Sequence, residues 1–121
     1  MLGKIISGLG QGKHFMQMPK YVEQFQEKLG FLPFAGTLNI KISEKMVMTK
    51  PIAVITGFEK DSQAFGQINC HQALLNSKNV IIIIPENTQH PSNVIEVIHE
   101  KNLRTVLNLK DGDKVNLEVI L

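Results

Sequence analysis

A chain of 121 residues, 43% hydrophobic and 20% charged, has the ordinary composition of one globular domain with a single core, which excludes a disordered segment. A net charge of +2, without a long basic run, argues against a nucleic-acid arm. The longest apolar run, Val80 to Ile84, is too short to span a bilayer, and the single cysteine, Cys70, excludes an internal disulfide framework.

The opening residues do not read as a signal peptide, because Gly3, Lys4, Ser7 and Gly8 interrupt any apolar stretch; a cytoplasmic protein is expected. Next comes SGLGQGKHF, Ser7 to Phe15. Its spacing, Gly8-x-Gly10-x-Gly12-Lys13-His14, fits neither the P-loop nor the dinucleotide fingerprint. Two readings stand: a plain turn between strands, or a nest of backbone N–H groups for an anion, with Lys13 adding positive charge.

PKYVEQFQEKLG predicts a helix. Pro19 sits near its start, Tyr21, Val22, Phe25 and Leu29 share one side, and Gly30 is its stop. TLNIKI predicts a strand with Leu38, Ile40 and Ile42 on the dry face, so Thr37 and Asn39 share the other. A hydroxyl and a carboxamide oxygen on one face are hard, neutral donors of the kind Mg²⁺ accepts, although the polar outer face of a half-buried strand is, by itself, the more ordinary account.

IAVITGF, Ile52 to Phe58, reads as a strand followed by a turn. QAFGQINC and HQALL are less cleanly patterned. VIIIIP reads as a buried strand closed by Pro85. SNVIEVIHE suits either a short helix capped by Ser92 or a strand. Within it Glu96 interrupts an apolar run, facing either a cavity or solvent. NLRTVLNL predicts a helical turn or two, LKDGD a tight turn with Gly112 at positive φ, and KVNLEVIL a closing strand. His14, His71, His90 and His99 form no zinc-binding spacing. Closely spaced strands, short turns and few helices predict a mainly β, small closed barrel, a single domain over residues 1–121.

Four blocks, SGLGQGKHF, PKYVEQFQEKLGFLPFAGTLNIKI, IIPENTQHPSNVIEVI and NLRTVLNLKDGDKVNLEV, taken in that order, resemble the archaeal CTP-dependent riboflavin kinase family. The blocks cover well over half the chain; the stretch from about Ser43 to Asn79 is the least similar. The resemblance implies a six-stranded cradle-loop barrel of the riboflavin-synthase-like kind. It also implies transfer of the γ-phosphoryl group of CTP to the 5′-hydroxyl of riboflavin, giving FMN and CDP. It assigns nucleotide binding to Gly8, Leu9, Gly10, Gln11, Gly12 and Lys13, and to Asn102, Leu103, Arg104 and Thr105. In that second segment Leu103 and Arg104 match the family's Lys-Leu-Arg-Glu, while Asn102 and Thr105 depart from it. It gives Mg²⁺ to Thr37 and Asn39, and the flavin to Thr88 and Glu96, with Glu96 also a candidate for steering the reacting hydroxyl. The expected partners are riboflavin/FMN and CTP/CDP, with neither nucleic acid nor membrane, and the expected state is a monomer. Two other functions compete: a flavin- or nucleotide-binding barrel without catalysis, and a swapped-hairpin DNA-binding barrel. The small net charge and the intact GTLN speak against the DNA reading.

Overall fold

Leu38, Ile40 and Ile42 alternate with Asn39 and Lys41, and in the computed structural model, which describes residues 1–8, 16–46, 50–86 and 93–120, they form strand β2 (Leu38–Ile42). The same period-2 logic builds β1 (Leu2–Ile6), whose Gly3 and Ile5 are buried while Leu2 and Lys4 are exposed, and β9 (Lys114–Val119), whose Val115 and Leu117 point inward. Between them in sequence lie α1 (Pro19–Leu29), β3 (Ala53–Ile55), β4 (Phe58–Lys60), β5 (Gln63–Phe65), β6 (Ile68–Leu75), β7 (Lys78–Pro85), β8 (Val94–Ile98) and the short α2 (Leu103–Val106).

Every pairing is antiparallel. The order β6-β7-β8-β2-β1-β9 returns to β6 through Ala73–Leu75 on Leu117–Val119, which closes a six-stranded barrel. The first half of β6 instead takes β3 on that edge, and β4 pairs with β5 as a separate hairpin. The expected mainly β barrel with few helices is therefore the fold among the described residues.

Two apolar clusters explain why β7 is an unbroken apolar run. Val80 and Ile82 face the barrel interior with Ile40, Val97 and Leu117, while Ile81 and Ile83 pack beneath α1 with Phe25 and Cys70. Both faces of the strand are covered, so neither needs polar residues. The helix that covers the outer face begins with Pro19 in its first turn and ends at Gly30, whose φ of 82° lets its N–H reach Gln26 O at 3.0 Å. Tyr21 donates its hydroxyl to Gly66 O at 2.7 Å, and Phe25 is fully buried; truncating Phe25 to Ala would cost about 3–5 kcal/mol.

Two expectations need correction. Ile52–Phe58 is not one strand: β3 stops at Ile55 because Gln24 of α1 occupies both backbone groups of Thr56, accepting its N–H at 2.7 Å and donating to its carbonyl at 2.9 Å. Gly57 then turns so closely past the next hairpin that a Cβ there would lie 2.5 Å from Phe65 O. The helical alternative for the segment around Glu96 also fails. Val94–Ile98 is β8, hydrogen-bonded on both edges, to β2 and β7, and its β-branched residues suit that ladder. Ser92, the suggested cap, lies outside the described residues.

Candidate functional site

The barrel turns the alternate residues of β2 outward, and this positions the polar ones. Leu38 and Ile40 enter the core; Asn39, between them, stands in register with Ile6 of β1 on one side and Glu96 of β8 on the other. Asn39 and Glu96 are each only 6% exposed, which removes the solvent-facing reading of both side chains. Thr37, two residues before Asn39, donates its hydroxyl to Glu96 Oε1 at 3.1 Å. The hydroxyl proton is thus committed to the carboxylate, leaving the Thr37 oxygen as an acceptor.

Among the described residues, the buried Asn39 Oδ1 has no hydrogen-bond partner. A buried polar atom left unmatched costs roughly 1–3 kcal/mol, and such atoms in native structures call for an explanation. Gly8 approaches the same side chain. A Cβ at Gly8 would fall on the Asn39 carboxamide, 2.8 Å from its Cγ, so glycine is required by proximity. The first glycine of the loop and both GTLN donors consequently meet at the end of β1.

That strand end is held by the LKDGD turn. Ile5 N–H reaches Asp113 O at 2.9 Å, and Gly112 N–H reaches Ile5 O at 2.8 Å, with Gly112 at φ 93°. Asp113 closes the turn by accepting Lys110 N–H at 2.9 Å. Asp111 does something else. One of its oxygens accepts the Ser7 hydroxyl and the other accepts Arg104 Nη2 at 2.7 Å. The Ser7 hydroxyl and then the Arg104 guanidinium hold the Asp111 carboxyl below the usual carboxylate range. The same Arg104 Nη2 also donates to Ile6 O at 3.3 Å.

In the Asn102–Thr105 segment, Asn102 caps α2 by accepting Arg104 N–H at 3.1 Å, and Leu103 is buried in the barrel core. Those two residues therefore fix the segment, and Arg104 and the exposed Thr105 present it outward. Gly8, Thr37, Asn39, Glu96 and Arg104 gather around the end of β1. Leu9, Gly10, Gln11, Gly12, Lys13 and Thr88 lie outside the described residues. Ser7 and Asp111 escaped the sequence reading, since Asp before Gly is ordinary turn chemistry and hides any second role.

The remaining reactive groups stand apart. Burial pushes the Cys70 thiol up to about 12, so it is neither a nucleophile nor a thiolate ligand. His71 sits opposite Ile82 in the ladder, nearly fully buried, with its Nδ1 unpartnered among the described residues. Among the described residues no helix is long and apolar enough to cross a membrane.

Comparison with known proteins shows the family to which the chain belongs. The family model CTP-dep_RFKase, described as "Domain of unknown function DUF120", matches residues 5–119. A riboflavin kinase of Methanosarcina barkeri is 37% identical over 123 residues, covering 97% of this chain and 55% of that protein. Its namesake in Pyrobaculum aerophilum is 39% identical over 127 residues, covering 100% and 60%, and that of Archaeoglobus fulgidus 38% over 125 residues, covering 98% and 54%. The chain thus spans a little over half the length of the curated relatives it matches.

Proposed function

We propose, from the premise that this chain belongs to the CTP-dependent riboflavin kinase family, that it transfers the γ-phosphoryl group of CTP to the 5′-hydroxyl of riboflavin, yielding FMN and CDP. The observation that carries the reading is the unmatched Asn39 oxygen beside the Thr37–Glu96 pair and against Gly8.

Phosphoryl transfer through a loose transition state asks a protein mainly for alignment and for charge to oppose the phosphates. That demand suits a site with no nucleophile–base dyad. The glycine segment Gly8 to Lys13 would receive the phosphates, with backbone N–H groups and the Lys13 ammonium as donors. Arg104, fixed at the end of β1, adds a second permanent cation.

Thr37 and Asn39 fit a magnesium site: one oxygen has its hydroxyl hydrogen turned toward Glu96, the other has no partner among the described residues, and both are hard donors. Bound there, Mg²⁺ supplies charge neutralisation to the phosphate oxygens. Glu96 takes the flavin side of the site together with Thr88. Its bond to Thr37 supports a contact between acceptor and donor substrates, since the hydroxyl to be phosphorylated must lie next to the phosphates. Within hydrogen-bonding reach of that hydroxyl, the carboxylate orients it for in-line attack.

The test is direct. The protein is incubated with riboflavin, Mg²⁺ and each of CTP, ATP, GTP and UTP in turn, and FMN is measured by chromatography. FMN formed with CTP in preference to the others supports the reading. Flavin and nucleotide binding without FMN formation would establish the non-catalytic barrel instead.

A further inference from the structure

We infer that Asp111 is a positioning residue for the nucleotide: its carboxylate ties Ser7, at the mouth of the glycine segment, to Arg104, and so sets the spacing of the two segments that share one CTP. The inference rests on the kinase reading above and deepens it.

The geometry is a bridge and not a simple ion pair. The two Asp111 oxygens serve different partners, the Ser7 hydroxyl on one and Arg104 Nη2 on the other. Ser7 and Asp111 are 104 residues apart in sequence, so the contact joins segments that no local turn would bring together. The turn does not need this carboxylate. Gly112 supplies the positive φ and Asp113 closes the loop onto Lys110 N–H, leaving the Asp111 side chain free for the bridge.

The bridge also does little for folding stability. The Arg104 and Asp111 side chains are 37% and 52% exposed, and ion pairs so open to solvent contribute little. What it does control is direction. Both bonds of Arg104 to the barrel, to Asp111 and to Ile6 O, leave from Nη2. The guanidinium is thereby pinned along one edge, and its Nη1 and Nε donors remain for an anion. Ser7 is tied at the same stroke, and Gly8, its neighbour, is the residue packed on Asn39. Asp111 carries negative charge near a polyphosphate site, which by itself would weaken nucleotide binding. The two effects have opposite signs, so a charge-removing substitution decides between them.

The experiment titrates CDP into the full chain by calorimetry and measures KM for CTP and for riboflavin, in wild type, Asp111→Asn, Ser7→Ala, Ser7→Thr and Arg104→Ala. Positioning predicts that Asp111→Asn weakens CDP and raises KM for CTP by about tenfold, with KM for riboflavin and the thermal midpoint held. Ser7→Ala moves the same way, and Ser7→Thr, which keeps the hydroxyl, restores affinity. Unchanged or tighter CDP binding by Asp111→Asn, while Arg104→Ala weakens it, overturns the inference and leaves the kinase reading standing. A fall in thermal midpoint that tracks the lost affinity overturns it too, since the role is then structural. If Arg104→Ala leaves CDP affinity untouched, the assignment of that segment to the nucleotide fails first, and the inference with it.

Discussion

The hydroxyl of Thr37 donates to the carboxylate of Glu96 at 3.1 Å, across 59 residues of chain. This bond turns a neutral strand residue into a polarised oxygen donor and seats it beside Asn39, which is nearly fully buried. On the proposed reading, loss of either donor removes charge stabilisation at the phosphates. Thr37→Ala and Asn39→Ala should each lower kcat by about a hundredfold, with circular dichroism unchanged. Thr37→Ser, which keeps the oxygen, should retain most activity. Asn39→Leu is the sharper probe. It replaces an unmatched buried carboxamide with an apolar group of similar size, so the thermal midpoint should rise, by the equivalent of about 1 kcal/mol, while activity disappears. Near-wild-type turnover in any of the Ala or Leu variants would remove the metal assignment.

Thr37 and Asn39 are uncharged, and the carboxylate bonded to Thr37 is that of Glu96. Hard dications held by so little charge bind weakly unless an anion brings them in. Calorimetry should detect negligible Mg²⁺ binding to the protein alone and clear uptake once CTP is present. Tight Mg²⁺ binding without nucleotide would contradict this arrangement.

Gly8 has no room for a side chain, since a methyl there would meet the Asn39 carboxamide. Gly8→Ala must therefore displace either the start of the glycine segment or the Asn39 side chain. The expected outcome is a loss of turnover comparable to that of Asn39→Ala, with riboflavin affinity, measured by flavin fluorescence quenching, affected less than CTP affinity. Equal loss of both would mean a general collapse of the barrel end.

Burial holds the His71 imidazole below its usual pKa of 6.5, and burial followed by the nearby Lys78 does the same for His99. A group whose folded-state pKa is lowered binds fewer protons when folded than when unfolded, so stability rises with pH through that window. The contribution is fully present above the unfolded value of about 6.5 and is lost as pH falls through the lowered folded values. Urea midpoints should decline between about pH 7 and pH 5, and His71→Leu should flatten that decline. An unchanged slope in this variant would place the pH sensitivity elsewhere.

Much of this architecture could be read from residue order. Pro19 and Gly30 bracket α1 because each acts through its own backbone, and the alternation in β2 put Thr37 and Asn39 on one face before any partner was known. What depends on distant partners was not legible. Val94–Ile98 carries a pattern that suits a helix or a strand, and β2 and β7 decide the matter by offering ladders on both edges. The end of β3 at Ile55 is set by the amide of Gln24, a residue with no local signature of that task. Asp111 is the clearest instance: its neighbours announce a turn, and its partners are Ser7 and Arg104.

The barrel closes through β9, which pairs with β1 on one edge and β6 on the other. Strand β9 follows α2 and the LKDGD turn, so the barrel's other strands must all be synthesised before the end of β1 gains its companions. Nascent polypeptide shorter than this holds the glycine segment without Arg104 or Asp111. Folding dominated by such distant pairings is slow, and a prematurely terminated product would carry unpaired strand edges. The proposed nucleotide site is in this sense completed only with the last strand of the barrel.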